Sequence, residues 1–148
     1  MKKIIALLGC IACLASLQAT AAELEWLTDL GKAQAKAKAE NKLVMLDFTG
    51  SDWCGWCIKL NKDVFSKPEF AEYAAKNLVL VEVDFPRNKK LSEEQKKANN
   101  ALQKKYQIEG YPTIIVLNKE GAKVGQMGYM SSPKPFIEEL EKAKKKQS

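Results

Sequence analysis

Cys54 and Cys57 are separated by two residues in the stretch Trp53-Cys54-Gly55-Trp56-Cys57. At this spacing, at the start of a helix, two thiols can close into a small disulfide and open again. A thiol at a helix N-terminus faces backbone N–H groups that lack intrahelical partners, and the positive end of the helix dipole. That environment favours thiolate, the nucleophile of disulfide exchange. Cys54, nearer the helix end and expected to be the more accessible, is the expected nucleophile. Cys57, one turn further in, is the expected resolving thiol. Turnover would pass through a mixed disulfide between Cys54 and a substrate sulfur, which Cys57 then cleaves. The competing reading is a pair of buried cysteines acting as small apolar residues; the tryptophans and glycine around them argue against it.

The chain contains no histidine. This removes His-based acid–base catalysis, Cys–His nucleophilic pairs and His-ligated metals together. Asp47 is the second candidate for chemistry, inside the apolar run Leu43-Val44-Met45-Leu46-Asp47-Phe48-Thr49. Burial would disfavour its charged form and raise its pKa. A carboxyl so tuned can pass protons to and from the resolving thiol. The alternative is a strand-end acid facing solvent. Gly110-Tyr111-Pro112-Thr113 is the third feature: a proline just before a strand suits a turn and permits a cis bond.

These residues need a scaffold. With 148 residues, 46% hydrophobic and 28% charged, the chain has the size and composition of one globular domain. Leu43–Thr49 and Leu78–Asp84 read as buried strands of a parallel sheet. Thr113–Leu117 and Ala122–Met127, joined by Asn118-Lys119-Glu120-Gly121, read as a hairpin. Helices are expected from Thr28 as cap to about Asn41, from the cysteine motif toward Val64, and from a Ser66–Glu69 capping box. Two more are expected, from a Ser92–Gln95 capping box to about Tyr106 and from Pro133 into a lysine-rich end. Glu23 to Trp26 reads as a lead-in. Helices alternating with strands imply an α/β fold, a mixed sheet of four to five strands flanked by helices.

The N-terminus has its own pattern. Lys2 and Lys3 precede an apolar run from Ile4 to Leu17 and small residues at Ala19-Thr20-Ala21-Ala22. This is the form of a secretory signal peptide, with residues 23–148 as the domain. The run is shorter than the ~20 residues of a spanning helix. Cleavage near Ala22 would lower the formal charge of +6 by two and leave Cys54 and Cys57 as the only thiols. Two minor alternatives involve the first cysteine pair: lipidation of Cys10 at Leu7-Leu8-Gly9-Cys10, and a four-cysteine zinc site with Cys13.

Leu46-Asp47-Phe48, the Cys-Gly-Trp-Cys pair, Tyr111-Pro112-Thr113 and Met127-Gly128-Tyr129 occur in the order found in thioredoxins. The chain resembles a thioredoxin-fold protein over nearly all of Leu43 to Lys144. Phe48-Thr49-Gly50-Ser51-Asp52-Trp53-Cys54 and Val81-Glu82-Val83-Asp84-Phe85-Pro86 are similar to exported bacterial oxidoreductases of the DsbH type. The resemblance implies a cis Tyr111–Pro112 bond whose Tyr111 backbone pairs with an extended substrate. It also implies an apolar rim of Trp53, Trp56 and Tyr129 for cysteine-containing polypeptides, a periplasmic location, and a membrane electron donor of the DsbD type. Two departures stand out: Asp47 lies one residue further from the first cysteine than in ordinary thioredoxins, and the intervening pair is Gly-Trp rather than Gly-Pro.

Trp56 stands where strong oxidases carry a histidine that stabilises the reduced form's thiolate. Without it the dithiol should be the better reductant, so reductase or isomerase is expected over oxidase. The redox-active disulfide itself replaces a cofactor, and no metal is expected. The lysines are interleaved with glutamates, as in Glu138-Glu139-Leu140-Glu141-Lys142, and read as solvated helix faces rather than a nucleic-acid surface. No dimerisation segment is evident, so a monomer is expected. The rival class is a non-catalytic thioredoxin-fold chaperone or binding module.

Overall fold

The structure is a computed structural model that describes residues 23–146. The expected signal segment and Cys10 lie outside the described residues. Five strands form one sheet in the order β1-β3-β2-β4-β5. They are β1 (Trp26–Leu27), β2 (Leu43–Thr49), β3 (Leu78–Asp84), β4 (Thr113–Leu117) and β5 (Lys123–Met127). β1, β3 and β2 run parallel, whereas β4 pairs antiparallel with β2 and β5 antiparallel with β4. The helices are α1 (Leu30–Glu40), α2 (Gly55–Leu60), α3 (Pro68–Asn77), α4 (Glu93–Lys105) and α5 (Pro133–Lys145).

All seven residues of β2 are buried, and their alternation sends side chains to two cores. Val44, Leu46 and Phe48 pack with Ala33 and Ala37 of α1 and with Leu102 of α4. Leu43 and Met45 pack on the other face with Phe70 of α3 and with Phe136 and Leu140 of α5. Asp47 and Thr49 continue this second row, so they leave the sheet on the side covered by α2. The aromatic centre of that core is tightly knit: Phe136 lies edge-on to Phe65 and to Phe70, with ring centroids 5.6 and 5.7 Å apart.

Local boundaries differ from expectation in four places. The lead-in forms β1, which pairs with Leu80 and Val81 of β3; two residues carry too little pattern to read as a strand. Asp29, not Thr28, caps α1, its carboxylate accepting the Lys32 N–H at 3.0 Å. Lys67 holds the cap position of α3 without a side-chain bond, because Ser66 Oγ donates instead to the Lys62 carbonyl. The helix from the cysteine motif does not run on uniformly. After Leu60 it widens into a π turn over Asn61–Phe65, where Ser66 N–H reaches the Asn61 carbonyl at 2.8 Å. Such widenings favour functional sites.

Phe136 is fully buried between two aromatic partners, so Phe136→Ala leaves a cavity that the rigid sheet cannot refill. The variant should lose about 3–5 kcal/mol of stability, read as a lowered urea midpoint at unchanged slope.

Candidate active site

The cysteines follow a loop whose backbone is set by three side chains. At Gly50 the chain turns, its carbonyl accepting the N–H of Trp53 at 3.2 Å and of Cys54 at 2.8 Å. The Trp53 ring lies so close that a Cβ on Gly50 would sit 2.5 Å from it, so the turn requires glycine. Trp53 is fixed in turn by its indole N–H to the Phe85 carbonyl at 2.8 Å, by the Arg87 guanidinium 4.0 Å from its ring centroid, and by Tyr111 edge-on.

Two carboxylates bind this loop to the segment after β3. Asp84, buried, accepts from Ser51 N–H at 2.9 Å and Ser51 O–H at 2.6 Å. Asp52 accepts the N–H groups of Arg87, Asn88 and Lys89 at 2.9, 2.7 and 2.9 Å. These donors, that of Arg87 foremost, hold the Asp52 carboxyl below its ordinary range. Asn99 of α4 adds a bond from its amide to the Asp84 carbonyl. Sequence reasoning gave no role to Ser51, Asp52, Asp84, Arg87 or Asn99; their partners lie 15 to 37 residues away.

Cys54 occupies the N-cap of α2, and its sulfur accepts the Cys57 N–H at 3.2 Å. The two form a disulfide with Cα atoms 5.2 Å apart. Their exposures, 7% and 5%, differ little, so position at the helix end distinguishes them more than access does. Among the described residues, Trp56 and Ile58 are the exposed large apolar side chains, at 59% and 52%. Trp56 leans on Tyr129, with centroids 4.9 Å apart. The Tyr129 hydroxyl donates to Asp63 at 2.7 Å, and Lys59 pairs with the same carboxylate at 2.6 Å. Trp53 is half-buried and tied down, so the two tryptophans of the motif stand in different environments. The Tyr111–Pro112 bond is cis, and Tyr111 lies between Trp53 and Phe85 with its hydroxyl held by Gln103.

Asp47 and Cys57 line one cleft of about 340 Å³, together with Thr49, Asn61, Lys62 and Glu82. Asp47 is 8% exposed, and its Oδ1 has no hydrogen-bond partner among the described residues. Loss of solvent, then the nearby charges of Glu82 and Asp84, pushes its carboxyl up to about 8. Burial, with the charge of Asp84, raises Glu82 as well. The arrangement can hold a proton beside a thiol that must gain or lose one. Among the described residues no group of three or more His, Cys, Asp or Glu side chains could hold a metal ion, and no helix is long and apolar enough to cross a membrane.

A family model described as a thioredoxin-like domain matches residues 30–144. The disulfide bond reductase DsbH of Chlamydia pneumoniae is 38% identical over 109 residues, covering 74% of this chain and 65% of that protein. The thiol:disulfide interchange protein DsbD of Vibrio cholerae is 35% identical over 117 residues, covering 77% of this chain and 18% of that protein. The chain thus spans less than two thirds of the length of these curated relatives. A solved structure of a DsbH oxidoreductase superposes with a TM-score of 0.78 at 34% identity, covering 87% of this chain and 92% of that one. The fold is a thioredoxin fold with a five-stranded mixed sheet.

Asp47 makes stability depend on pH. Its folded-state carboxyl titrates near 8, against an ordinary value of 3.8, so between these values the folded chain keeps a proton that the unfolded chain has lost. The contribution is complete below about pH 4 and is lost as pH rises through 8. Urea unfolding between pH 5 and 7 should show an Asp47-dependent decline of at most about 1.4 kcal/mol per pH unit. Asp47→Asn should remove that slope.

Proposed function

The chain belongs to the thioredoxin-like family, and from that premise we propose that it is a thiol–disulfide oxidoreductase that reduces or isomerises protein disulfides through Cys54 and Cys57. The observation that carries this reading is the closed Cys54–Cys57 pair at the first turn of α2, in a cleft shared by Cys57 and Asp47. In the reducing direction, the Cys54 thiolate attacks a substrate disulfide and releases one substrate thiolate. Cys57, giving up its proton, attacks Cys54 Sγ and expels the second. The substrate gains two electrons, and the dithiol becomes the observed disulfide. Asp47, when ionised, takes the Cys57 proton.

Direction follows from the intervening pair. Trp56 supplies no positive charge to a Cys54 thiolate, and the chain has no histidine to do so. The reduced form therefore lacks one source of stabilisation, which favours donation of electrons. The similarity to a protein named as a disulfide bond reductase supports the same direction. Trp56, Ile58 and Tyr129 offer an apolar rim for cysteine-containing polypeptides, with Trp53 acting beneath it as a support. The cis Tyr111–Pro112 segment offers backbone groups to an extended substrate. Residues 1–22 would serve as a signal peptide delivering residues 23–148 to the periplasm. A reductase there needs electrons from a membrane relay, for which a DsbD-type protein is the natural candidate. The domain would work as a monomer.

The parent protein should accelerate reduction of insulin disulfides by a small dithiol, and Cys54→Ser should return the rate to background. Cys57→Ser should instead accumulate a mixed disulfide through Cys54, visible as added mass that a reductant removes. Undiminished reduction by Cys54→Ser would overturn the assignment of the nucleophile, and an inactive parent would favour a binding module. For the leader, intact mass of protein recovered from the periplasm of an expressing bacterium should begin at residue 22 or 23; an intact Met1 terminus would refute cleavage.

A further inference from the structure

Asp47 has a second carboxyl as its neighbour. The parallel register pairs it with Glu82 of β3, and paired residues in neighbouring strands direct their side chains to the same face. Both line the cleft that contains Cys57. The two acids differ in setting. Asp47 is 8% exposed with Oδ1 unpartnered, whereas Glu82 is only half-buried and enters no hydrogen bond or ion pair among the described residues. A free carboxylate at the wet side of a cleft, next to a dry carboxyl at its inner side, has no structural task that its contacts explain.

The surroundings define what Glu82 can do. From β3, Glu82 and Asp84 direct negative charge at Asp47. Across β2 on the other side, Asp47 pairs with Ile114 of β4, which is apolar. From α2 comes Cys57, and from the π turn Lys62 lines the same cleft. Lys89 approaches Asp84 at 3.9 Å and lowers the proton affinity of Glu82. Asp84 is already engaged by both donors of Ser51. Glu82 is thus the second carboxylate lining the cleft, and its charge adds to that of Asp84 at Asp47.

We propose that Glu82 is a positioning residue whose negative charge keeps a proton on Asp47 while the Cys54–Cys57 disulfide is closed, ready for delivery to Cys57 when the disulfide is reopened. The role rests on the oxidoreductase reading above. In that step the thiolate of a dithiol donor attacks Cys54 Sγ and forms a mixed disulfide. The Cys54–Cys57 bond breaks, and its electron pair goes to Cys57. Asp47 gives its proton to the Cys57 thiolate and is left ionised beside Glu82. The donor's second thiolate then attacks its own sulfur in the mixed disulfide and releases Cys54. The donor ends oxidised to a disulfide, and the protein ends as the dithiol. Two adjacent carboxylates then repel, which draws a proton back from solvent by the open, Glu82 side of the cleft. Like charges at this range raise proton affinity, in agreement with the direction seen at both residues.

The test is the pH profile of re-reduction. Oxidised parent, Glu82→Gln, Glu82→Asp and Asp47→Asn proteins are mixed with dithiothreitol from pH 5 to 10. Each rate is divided by that of Asp47→Asn at the same pH, which cancels the ionisation of the reagent. The parent ratio should fall through an inflection as Asp47 loses its proton. In Glu82→Gln that inflection should move down by about one pH unit, and Glu82→Asp, which keeps the charge, should restore most of the shift. A carbon NMR titration of the Asp47 carboxyl in the oxidised parent and Glu82→Gln proteins should show the same displacement without any turnover. An Asp47-dependent inflection that stays in place in Glu82→Gln overturns the role of Glu82 and leaves the oxidoreductase reading intact. A flat parent ratio removes the proton delivery by Asp47 and with it this proposal. Absence of any insulin reduction by the parent is the separate result that would remove the oxidoreductase reading.

Discussion

A carboxyl group cannot be taken out of water and left charged without compensation, and this sheet answers that constraint in two ways. Asp84 keeps its place because Ser51 presents an N–H and an O–H to it within 3 Å. Asp47, on the neighbouring strand, receives no such donor at Oδ1 and is compensated by retaining a proton. The first solution fixes a loop. The second raises the proton affinity of a carboxyl in the cleft that Cys57 also lines. Both arise because β2 and β3 pair in a register that sets Asp47 against Glu82 and Thr49 against Asp84. A slip of β3 by one residue would send Glu82 and Asp84 to the opposite core and leave Asp47 without either.

What could be read from the sequence follows from how local each signal is. β2, β3 and β4 have the expected ends because each is a mainly apolar run, interrupted in β2 and β3 by single acids, and such runs need no tertiary information. The cysteine pair and Asp47 were legible for the same reason: one is a spacing, the other a charge where no charge should be. The caps of α1 and α3 were less so, since Thr28 and Asp29 are both good caps and only the packed geometry chooses between them. β1 exists because β3 offers it an edge, not because Trp26-Leu27 has a pattern. The contacts of Asp52 with residues 87–89 had no local signature at all.

The motif's two tryptophans show how composition can mislead about role. Trp53 and Trp56 lie on either side of Cys54 and Gly55 and read alike in a sequence. The indole nitrogen of Trp53 is satisfied by Phe85, its face by Arg87 and its edge by Tyr111, so its apolar surface supports the loop. Trp56 is exposed on α2 and packs against Tyr129. The Tyr129 ring is held by Asp63, which Lys59 also engages. An exposed aromatic on a supported partner presents a shaped surface at small entropic cost.

The tie between the cysteine loop and the segment after β3 joins positions 32 to 37 residues apart. The cysteines themselves are only three positions apart, so a single local turn brings them within reach of each other, in a nascent chain as in a finished one. Their surroundings do not. The carboxyl of Asp47 gains its unusual proton affinity, and the loop its fixed path into α2, only once β2 and β3 have paired and water has been driven from between them. On the oxidoreductase reading proposed above, a half-made chain would carry an ordinary dithiol, and the finished one a tuned centre. The fold thus acts as a safety catch on its own chemistry.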